Sequence, residues 1–238
     1  MNAKNRLHSP ISALVFDAYG TLFDIHSIAL TAEHLFPGHG RALAQIWRSK
    51  QLEYTWLQSL MRSATQPRQD FAAITGHALE FAAQSLGLVL ASGARHRLLD
   101  SYLDLAPYPD AEGALSALAP LPRIILSNGT EGMLTPLVAA SGLSSHFEAI
   151  ISVDDADIFK PSPRVYRLAV EHLALPAVDI GFVSANGWDA IGAKAFGFTV
   201  FWVNRADAPL DRHGPAPDAI IGSLDELPAL LKQVSAPR

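Results

Sequence analysis

The chain has 238 residues, 49% hydrophobic and 17% charged, which is enough apolar surface for a sizeable core and the wrong balance for a disordered chain. Its length suggests one large domain or a domain with an inserted subdomain, and a net charge of −5 without a Lys/Arg block argues against a nucleic-acid or polybasic membrane partner. Cysteine is absent, which excludes disulfides, thiolate catalysis and Cys-ligated metal.

Residues 12–17 read as a short buried strand ending on a lone carboxylate, Asp17, with the turn Gly20-Thr21 just beyond. Helical spacing follows over 39–63 (Leu43, Ile46, Trp47, Leu52, Trp56, Leu57, Leu60), over 70–87 closed by Gly87, and over 92–105. Residues 25–106 therefore read as an all-helical insert, bounded by Pro107 and Pro109, with 1–24 and 107–238 as the core. From about residue 110 strands and helices alternate. Strands are predicted at 124–127, 149–152, 180–184, 199–203 and 219–221, and helices at 131–142, 162–174, 187–196 and 224–233, with 205–217 a proline-containing loop. This rhythm predicts an α/β fold, a doubly wound parallel sheet with an inserted α-helical cap subdomain. Residues 1–10 are polar without an apolar signal core, and no stretch reaches the roughly 18 apolar residues of a membrane span. A cytoplasmic protein is expected.

Four strand ends carry polar residues that would meet on one edge of such a sheet. They are Asp17 with Thr21; Ser127-Asn128-Gly129; Lys160-Pro161; and Ser184-Ala185-Asn186-Gly187-Trp188-Asp189. Each has an ordinary explanation alone. A strand-ending Asp also caps turns, Ser-Asn-Gly is a common turn, and a carboxylate suits the first turn of a helix. Their order on successive strands, at the end where open α/β sheets bind ligands, points to one site.

This order resembles the haloacid dehalogenase-like superfamily over nearly the whole chain. The resemblance implies a nucleophilic Asp (Asp17), a Ser or Thr at the second strand (Ser127), a Lys (Lys160) and an acidic residue at the fourth strand (Asp189). Most members are phosphatases with Asp-x-Asp at the first motif and two acids at the last to hold Mg²⁺. Here Tyr19 replaces the second Asp, and a phenol with an ordinary pKa near 10 is a poor proton shuttle at neutral pH. Ser184 opens the last motif, so a hard-cation site loses a carboxylate. Both departures suit a halide leaving group, which needs no proton, and attack on saturated carbon, which needs no metal. They are similar to one subfamily, the L-2-haloacid dehalogenases. Phe16-Asp17-Ala18-Tyr19-Gly20-Thr21-Leu22-Phe23-Asp24 looks like its first motif, and Trp47-Arg48 with Lys50–Leu57 looks like its cap helix. Arg164-Val165-Tyr166 after Lys160-Pro161 continues the likeness. Residues 62–70 depart from the pattern and are expected to bear on chain-length preference.

The resemblance implies hydrolysis of short L-2-haloalkanoic acids through an aspartyl ester, with no cofactor and no metal. Asp17 displaces the halide from the alpha carbon with inversion. Water activated by Asp189, helped by Ser184 and Asn186, then opens the ester. Two carboxylates about 4 Å apart at an effective dielectric near 20 repel by roughly 4 kcal/mol, and Lys160 between them offsets this and keeps Asp17 ionised. Arg48 is assigned to the halide, with Asn128 donating a hydrogen bond and Trp188 presenting a ring edge. Ser127 and the backbone N–H groups of Ala18 and Tyr19 hold the substrate carboxylate. Tyr166 is expected to orient Lys160 or Asp17, and Thr21 to fix the Asp17 rotamer. Trp47, Tyr54 and Trp56 are read as packing, and the nine histidines as structural or surface.

Three other readings stand beside this one. A Mg²⁺-dependent phosphatase on the same fold conflicts with Tyr19 and Ser184. A non-catalytic binding protein would not keep Asp17, Lys160, Asn186 and Asp189 together. A dehalogenase for fluoroacetate or another small haloacid would share the residues and differ in pocket size. Leu57, Leu60 and Met61 offer a surface for the homodimer that the resemblance implies.

Overall fold

Strands buried on both faces need unbroken apolar runs, and the chain supplies them. In the computed structural model, which describes residues 10–61 and 67–235, β1 (Ala13–Phe16), β2 (Arg123–Ser127) and β4 (Ile180–Ser184) are buried at every position. With β3 (Ala149–Ser152), β5 (Thr199–Val203) and β6 (Ala219–Ile221) they form one parallel sheet in the order β3-β2-β1-β4-β5-β6. The chain works outward from β1 to β3, then crosses back to place β4 on the other flank of β1. That reversal is the switch point where an open sheet leaves a crevice beyond its strand ends. Register aligns the ends. Phe16 pairs with Ile125 on one side and Val183 on the other, so Asp17 stands level with Leu126 and Ser184.

Among the described residues, four helices follow β1 before the chain returns beside Asp24: α1 (Ile28–Leu35), α2 (Gly40–Leu60), α3 (Phe71–Ser85) and α4 (Ser92–Asp100). The chain leaves and returns side by side. The Asp24 N–H donates to the Ala106 carbonyl at 2.9 Å and the Tyr108 N–H to Leu22 at 2.8 Å. α2 buries Leu43, Trp47, Gln51 and Thr55, one face at three- and four-residue spacing. The Asp70 carboxylate caps α3 by accepting from the Ala73 N–H at 2.8 Å. The remaining helices flank the sheet: α5 (Ala111–Ala117), α6 (Glu131–Ala140), α7 (Pro163–Leu173), α8 (Gly187–Phe196) and α9 (Leu227–Ser235).

The helical run read over 92–105 stops at Asp100 and tightens into a 3-10 turn over Ser101–Leu103, which buries Tyr102. The final helix likewise opens with a 3-10 turn over Leu224–Glu226, where Ser223 accepts from the Asp225 N–H and Pro228 follows. α1 and α5 have no counterpart among the individual helices read from spacing, because eight and seven residues are too short for a clear period. Residues 62 and 63 of the helix read over 39–63 lie outside the described residues. Among the described residues no helix is long and apolar enough to cross a membrane.

Candidate active site

Asp17 is the first residue beyond β1, and its backbone N–H is tied to the Val183 carbonyl at 3.0 Å. The chain then turns at Gly20, whose φ of +86° is a left-handed conformation that favours glycine. The turn returns Thr21 beneath Asp17. The Thr21 hydroxyl donates to Asp17 Oδ2 at 3.0 Å and accepts the Ala185 N–H at 2.8 Å. Asn186 Nδ2 donates to the same Oδ2 at 2.8 Å and to the Tyr19 carbonyl at 3.0 Å. Three elements thus hold one carboxylate in one rotamer. It remains 6% exposed, so one face stays reachable.

Lys160 lies between two acids. Its Nζ donates to Asp17 Oδ1 at 3.1 Å and to Asp189 Oδ2 at 2.9 Å, and it sits 5.0 Å from the centre of the Phe182 ring. Asp189 is fully buried at the start of α8 and accepts from Tyr166 Oη on Oδ1 at 2.7 Å and from Ser184 Oγ on Oδ2 at 3.1 Å. Ser184 Oγ in turn accepts the Asn186 N–H at 3.1 Å. Burial pushes the Asp189 carboxyl above its ordinary range; Lys160 opposes this and the Asp17 charge adds to it. Burial alone would push the Lys160 amine down, but the Asp17 and Asp189 carboxylates more than reverse that, and it stays an ammonium. Burial and the Asp189 charge drive the Tyr166 phenol well up, so it acts as a fixed donor.

From α2, Arg48 reaches this centre. Its Nη2 is 3.4 Å from Asn186 Oδ1, and its Nη1 donates to Gln51 Oε1 at 2.7 Å. Gln51 is fully buried and donates on to Thr75 Oγ1 at 2.7 Å, which fixes the guanidinium from behind. A cavity of about 580 Å³ between the first helices is lined by Arg48, Trp47, Tyr102, His26, Gln45 and Arg41, among others. Asp17 is not on its wall; Arg48, through Asn186, links the two.

Eight of the residues singled out from sequence, Asp17, Thr21, Arg48, Lys160, Tyr166, Ser184, Asn186 and Asp189, form one hydrogen-bonded network. Asn128 joins it through the backbone, its Oδ1 accepting the Lys160 N–H at 3.0 Å. Ser127 is fully buried and accepts only the Gly129 N–H, at 3.2 Å. The N–H groups of Ala18 and Tyr19 meet no backbone carbonyl among the described residues. The Tyr19 ring stacks on Phe71 and meets Tyr102 edge-on, and burial pushes its phenol well up. Trp188 packs against Trp56 of α2. Tyr19 Oη and Trp188 Nε1 are both buried without a partner.

Tyr166 corrects the sequence reading. It does not orient Lys160 or Asp17 directly; it bonds the Asp189 carboxylate and backbone carbonyl, because α7 faces α8 here. The sequence marks Gln51 only as part of the cap-helix likeness, with no role of its own, and does not single out Tyr102. The available signal for Gln51 was a polar residue on the apolar face of α2, three positions after Arg48. Residues 62–66 of the divergent stretch 62–70 lie outside the described residues. Of the rest, Asp70 caps α3 and Arg68 packs on Phe159.

A divalent cation does not suit this centre. The Lys160 ammonium sits between the two carboxylates that would coordinate one, and Ser184 supplies a hydroxyl in place of a third. Among the described residues no group of three or more His, Cys, Asp or Glu side chains could hold a metal.

Gly192 lets α8 approach closely. A Cβ there would lie 2.5 Å from Pro161 Cβ and 2.6 Å from Tyr166 Oη. Gly192→Ala is expected to lower stability by about 1–3 kcal/mol and to displace Tyr166 from Asp189. Denaturant unfolding together with activity per folded molecule checks this.

The haloacid dehalogenase-like hydrolase family model matches residues 11–197. The chain is 42% identical over 219 residues to the (S)-2-haloacid dehalogenase of Pseudomonas putida, covering 91% of this chain and 95% of that one. The solved L-2-haloacid dehalogenase of Xanthobacter autotrophicus superposes with a TM-score of 0.88 at 41% identity, over 94% of this chain and 100% of that one. The same enzyme with chloropropionic acid covalently bound gives 0.87 at 40% identity, with the same coverage. The chain belongs to the haloacid dehalogenase-like hydrolase family.

Proposed function

We propose that this protein is an (S)-2-haloacid dehalogenase, hydrolysing short L-2-haloalkanoic acids to D-2-hydroxy acids through an ester on Asp17 and without a metal. One observation carries the reading. A reachable carboxylate is held against a buried ammonium, and the acid that would protonate an alcohol leaving group is replaced by a buried tyrosine.

In the first step an Asp17 oxygen forms a bond to the alpha carbon from the side opposite the halogen. The carbon–halogen bond breaks and the halide departs with the electron pair. Arg48 and Asn128 receive it, with Trp188 beside them. The Ala18 and Tyr19 N–H groups and Ser127 bind the substrate carboxylate. In the second step water adds to the Asp17 carboxyl carbon, and its proton passes to Asp189, with Ser184 and Asn186 ordering the approach. The ester C–O bond to the Asp17 carbonyl then breaks, the departing oxygen takes the proton back from Asp189 to give the hydroxy acid, and the Asp17 carboxyl releases its remaining proton to solvent. Lys160 pairs with Asp17 before the first step and after the second. The segment 25–106 acts as a cap over the site, with 1–24 and 107–238 as the core.

The test is halide release from each enantiomer of 2-chloropropionate in excess EDTA. Chloride from the L-enantiomer alone, with D-lactate formed, is the expected outcome. Mg²⁺-dependent phosphate release from simple esters, with no halide, would overturn it. Running chloroacetate and fluoroacetate beside it tests the small-haloacid alternative.

We also infer a cytoplasmic homodimer. Leu60 and Met61 at the end of α2 are 81% and 59% exposed, with Leu57 and Phe81 partly exposed nearby, and a second copy would cover them. Sedimentation of wild type against Leu60→Glu reports this.

A further inference from the structure

Arg68, between α2 and α3, takes no part in the mechanism above, yet its side chain is only 5% exposed. Its Nη2 pairs with Asp154 and its Nε approaches Asp157 at 3.4 Å, on the turn after β3. Its Cζ lies 4.4 Å from the centre of the Phe159 ring. Its Nη1 is buried with no hydrogen-bond partner among the described residues. A buried guanidinium with an idle donor adds little to stability by itself, and an apolar side chain of similar size would fill the space at less cost.

What Arg68 touches gives it a different use. Phe159 is fully buried and immediately precedes Lys160. Two more groups from the inserted helices meet there: Ser59 Oγ accepts the Phe159 N–H at 3.3 Å, and the Phe71 ring stands 6.4 Å from the Phe159 ring. From the core side, Asn128 holds the Lys160 N–H. The backbone that delivers Lys160 is therefore held from both sides, and its ammonium must meet Asp17 and Asp189 together, at 3.1 and 2.9 Å. The other groups around that ammonium are the Phe182 ring and, across Asp189, the Tyr166 hydroxyl.

We propose that Arg68 is a positioning residue for Lys160, bracing the face of Phe159 and so placing the ammonium between the two carboxylates. This rests on the reading of Asp17, Lys160 and Asp189 as the reacting centre. It also gives Arg68, in the divergent stretch, a role: the helical segment holds the nucleophile's counter-charge in place as well as covering the substrate.

The experiment compares Arg68→Met, Arg68→Lys and Phe159→Leu in the full chain, following chloride release from L-2-chloropropionate across pH alongside thermal melting. For folded Arg68→Met, kcat/KM is expected to fall about 10- to 100-fold. The acidic limb of its profile should move to higher pH, because the carboxylates lose part of their support. Arg68→Lys keeps the charge but not the planar stack and should fall between. Adding Arg68→Met to Phe159→Leu should cost little more, since both act through one contact. A purely structural role would lower the melting temperature and leave the acidic limb in place, and that result overturns the proposal. If Arg68→Met does not fold, the limb of Arg68→Lys decides in the same way. Wild type that releases no chloride defeats the dehalogenase reading itself; an active wild type with an unmoved limb in the variants defeats only the role of Arg68.

Discussion

Asp17→Asn is expected to remove chloride release from L-2-chloropropionate, by a factor on the order of 10⁴ or more. An amide is too weak a nucleophile for saturated carbon, and no second carboxylate is placed to substitute. Asp189 is fully buried, with Lys160, Ser184 and Tyr166 on its oxygens. The fold should survive, because Lys160 keeps its ion pair with Asp189 and that carboxylate is relieved of a neighbouring charge. A companion measurement tests the ester directly. With enzyme in excess in ¹⁸O-water, the first hydroxy acid released takes its hydroxyl oxygen from Asp17 and is unlabelled. Over many turnovers Asp17 acquires ¹⁸O from water and the label appears in product. Label in the first turnover would mean that water attacks the substrate itself. An Asn variant keeping more than about 1% of the rate would remove Asp17 from the nucleophile's role.

Lys160→Met should be the next most damaging change, in both stability and rate. Removing one partner of a buried ion pair costs about 3–5 kcal/mol, and here two carboxylates lose their shared cation. The sign of the pH effect follows from the direction of each shift. The Lys160 amine stands above its ordinary value of 10.5 despite burial, because Asp17 and Asp189 favour its charge. Its stabilisation is therefore complete below that value and is lost only as the pH climbs through the higher, folded one. Wild type should melt at a nearly constant temperature from neutral to moderately alkaline pH and lose stability beyond. The Asp189 carboxyl stands above its ordinary 3.8, chiefly through burial. The folded state takes up its proton early on acidification, so the acidic limb of activity begins above the range of a free carboxylate. Without the ammonium, the two carboxylates share a proton at higher pH still. Lys160→Met should thus show a lowered plateau and an acidic limb moved toward neutrality. A plateau reduced with the limb unmoved would mean that Lys160 serves packing rather than charge.

An ammonium stands at this centre where a divalent cation would have to sit. Lys160 Nζ contacts both carboxylates, and Ser184 donates to Asp189 where a further acid would repel it. By formal charge, Asp17 and Asp189 balance Lys160 and Arg48. A monoanionic substrate adds one charge, and the first step exports it as halide. A phosphate ester would bring two charges and a leaving group that needs a proton, and where the acid would stand the chain has Tyr19, whose phenol burial pushes well up.

Much of this was legible without coordinates. Asp17 and the stretch Ser184–Asp189 end an apolar strand or open the following helix, and a parallel sheet brings such positions to one edge; Lys160 lies on the connection between β3 and α7, and its placement depends on that segment. The replacements at Tyr19 and Ser184 could be read as chemistry because residue type alone decides whether a proton donor or a cation ligand is present. The run of helices after β1 was visible as a change of hydrophobic period after Phe23. Strand order was not legible, since parallel strands of similar apolar composition carry no mark of their neighbours. The placement of β4 beside β1 emerges only from the paired registers. The partner of Tyr166 was likewise hidden, because α7 and α8 pack face to face through Gly192 and the chosen carboxylate depends on that approach.

The sequence by itself determined which chemistry is available: a carboxylate nucleophile, a lysine, an arginine and no acid behind the leaving group. Only the tertiary structure decided which groups share a proton, a charge or a contact. Gln51 fixing Arg48 and Arg68 bracing Phe159 are side-chain contacts between separate helices and loops. Periodicity reports which face of an element is buried, and the identity of the neighbour on that face is set by packing across the whole chain.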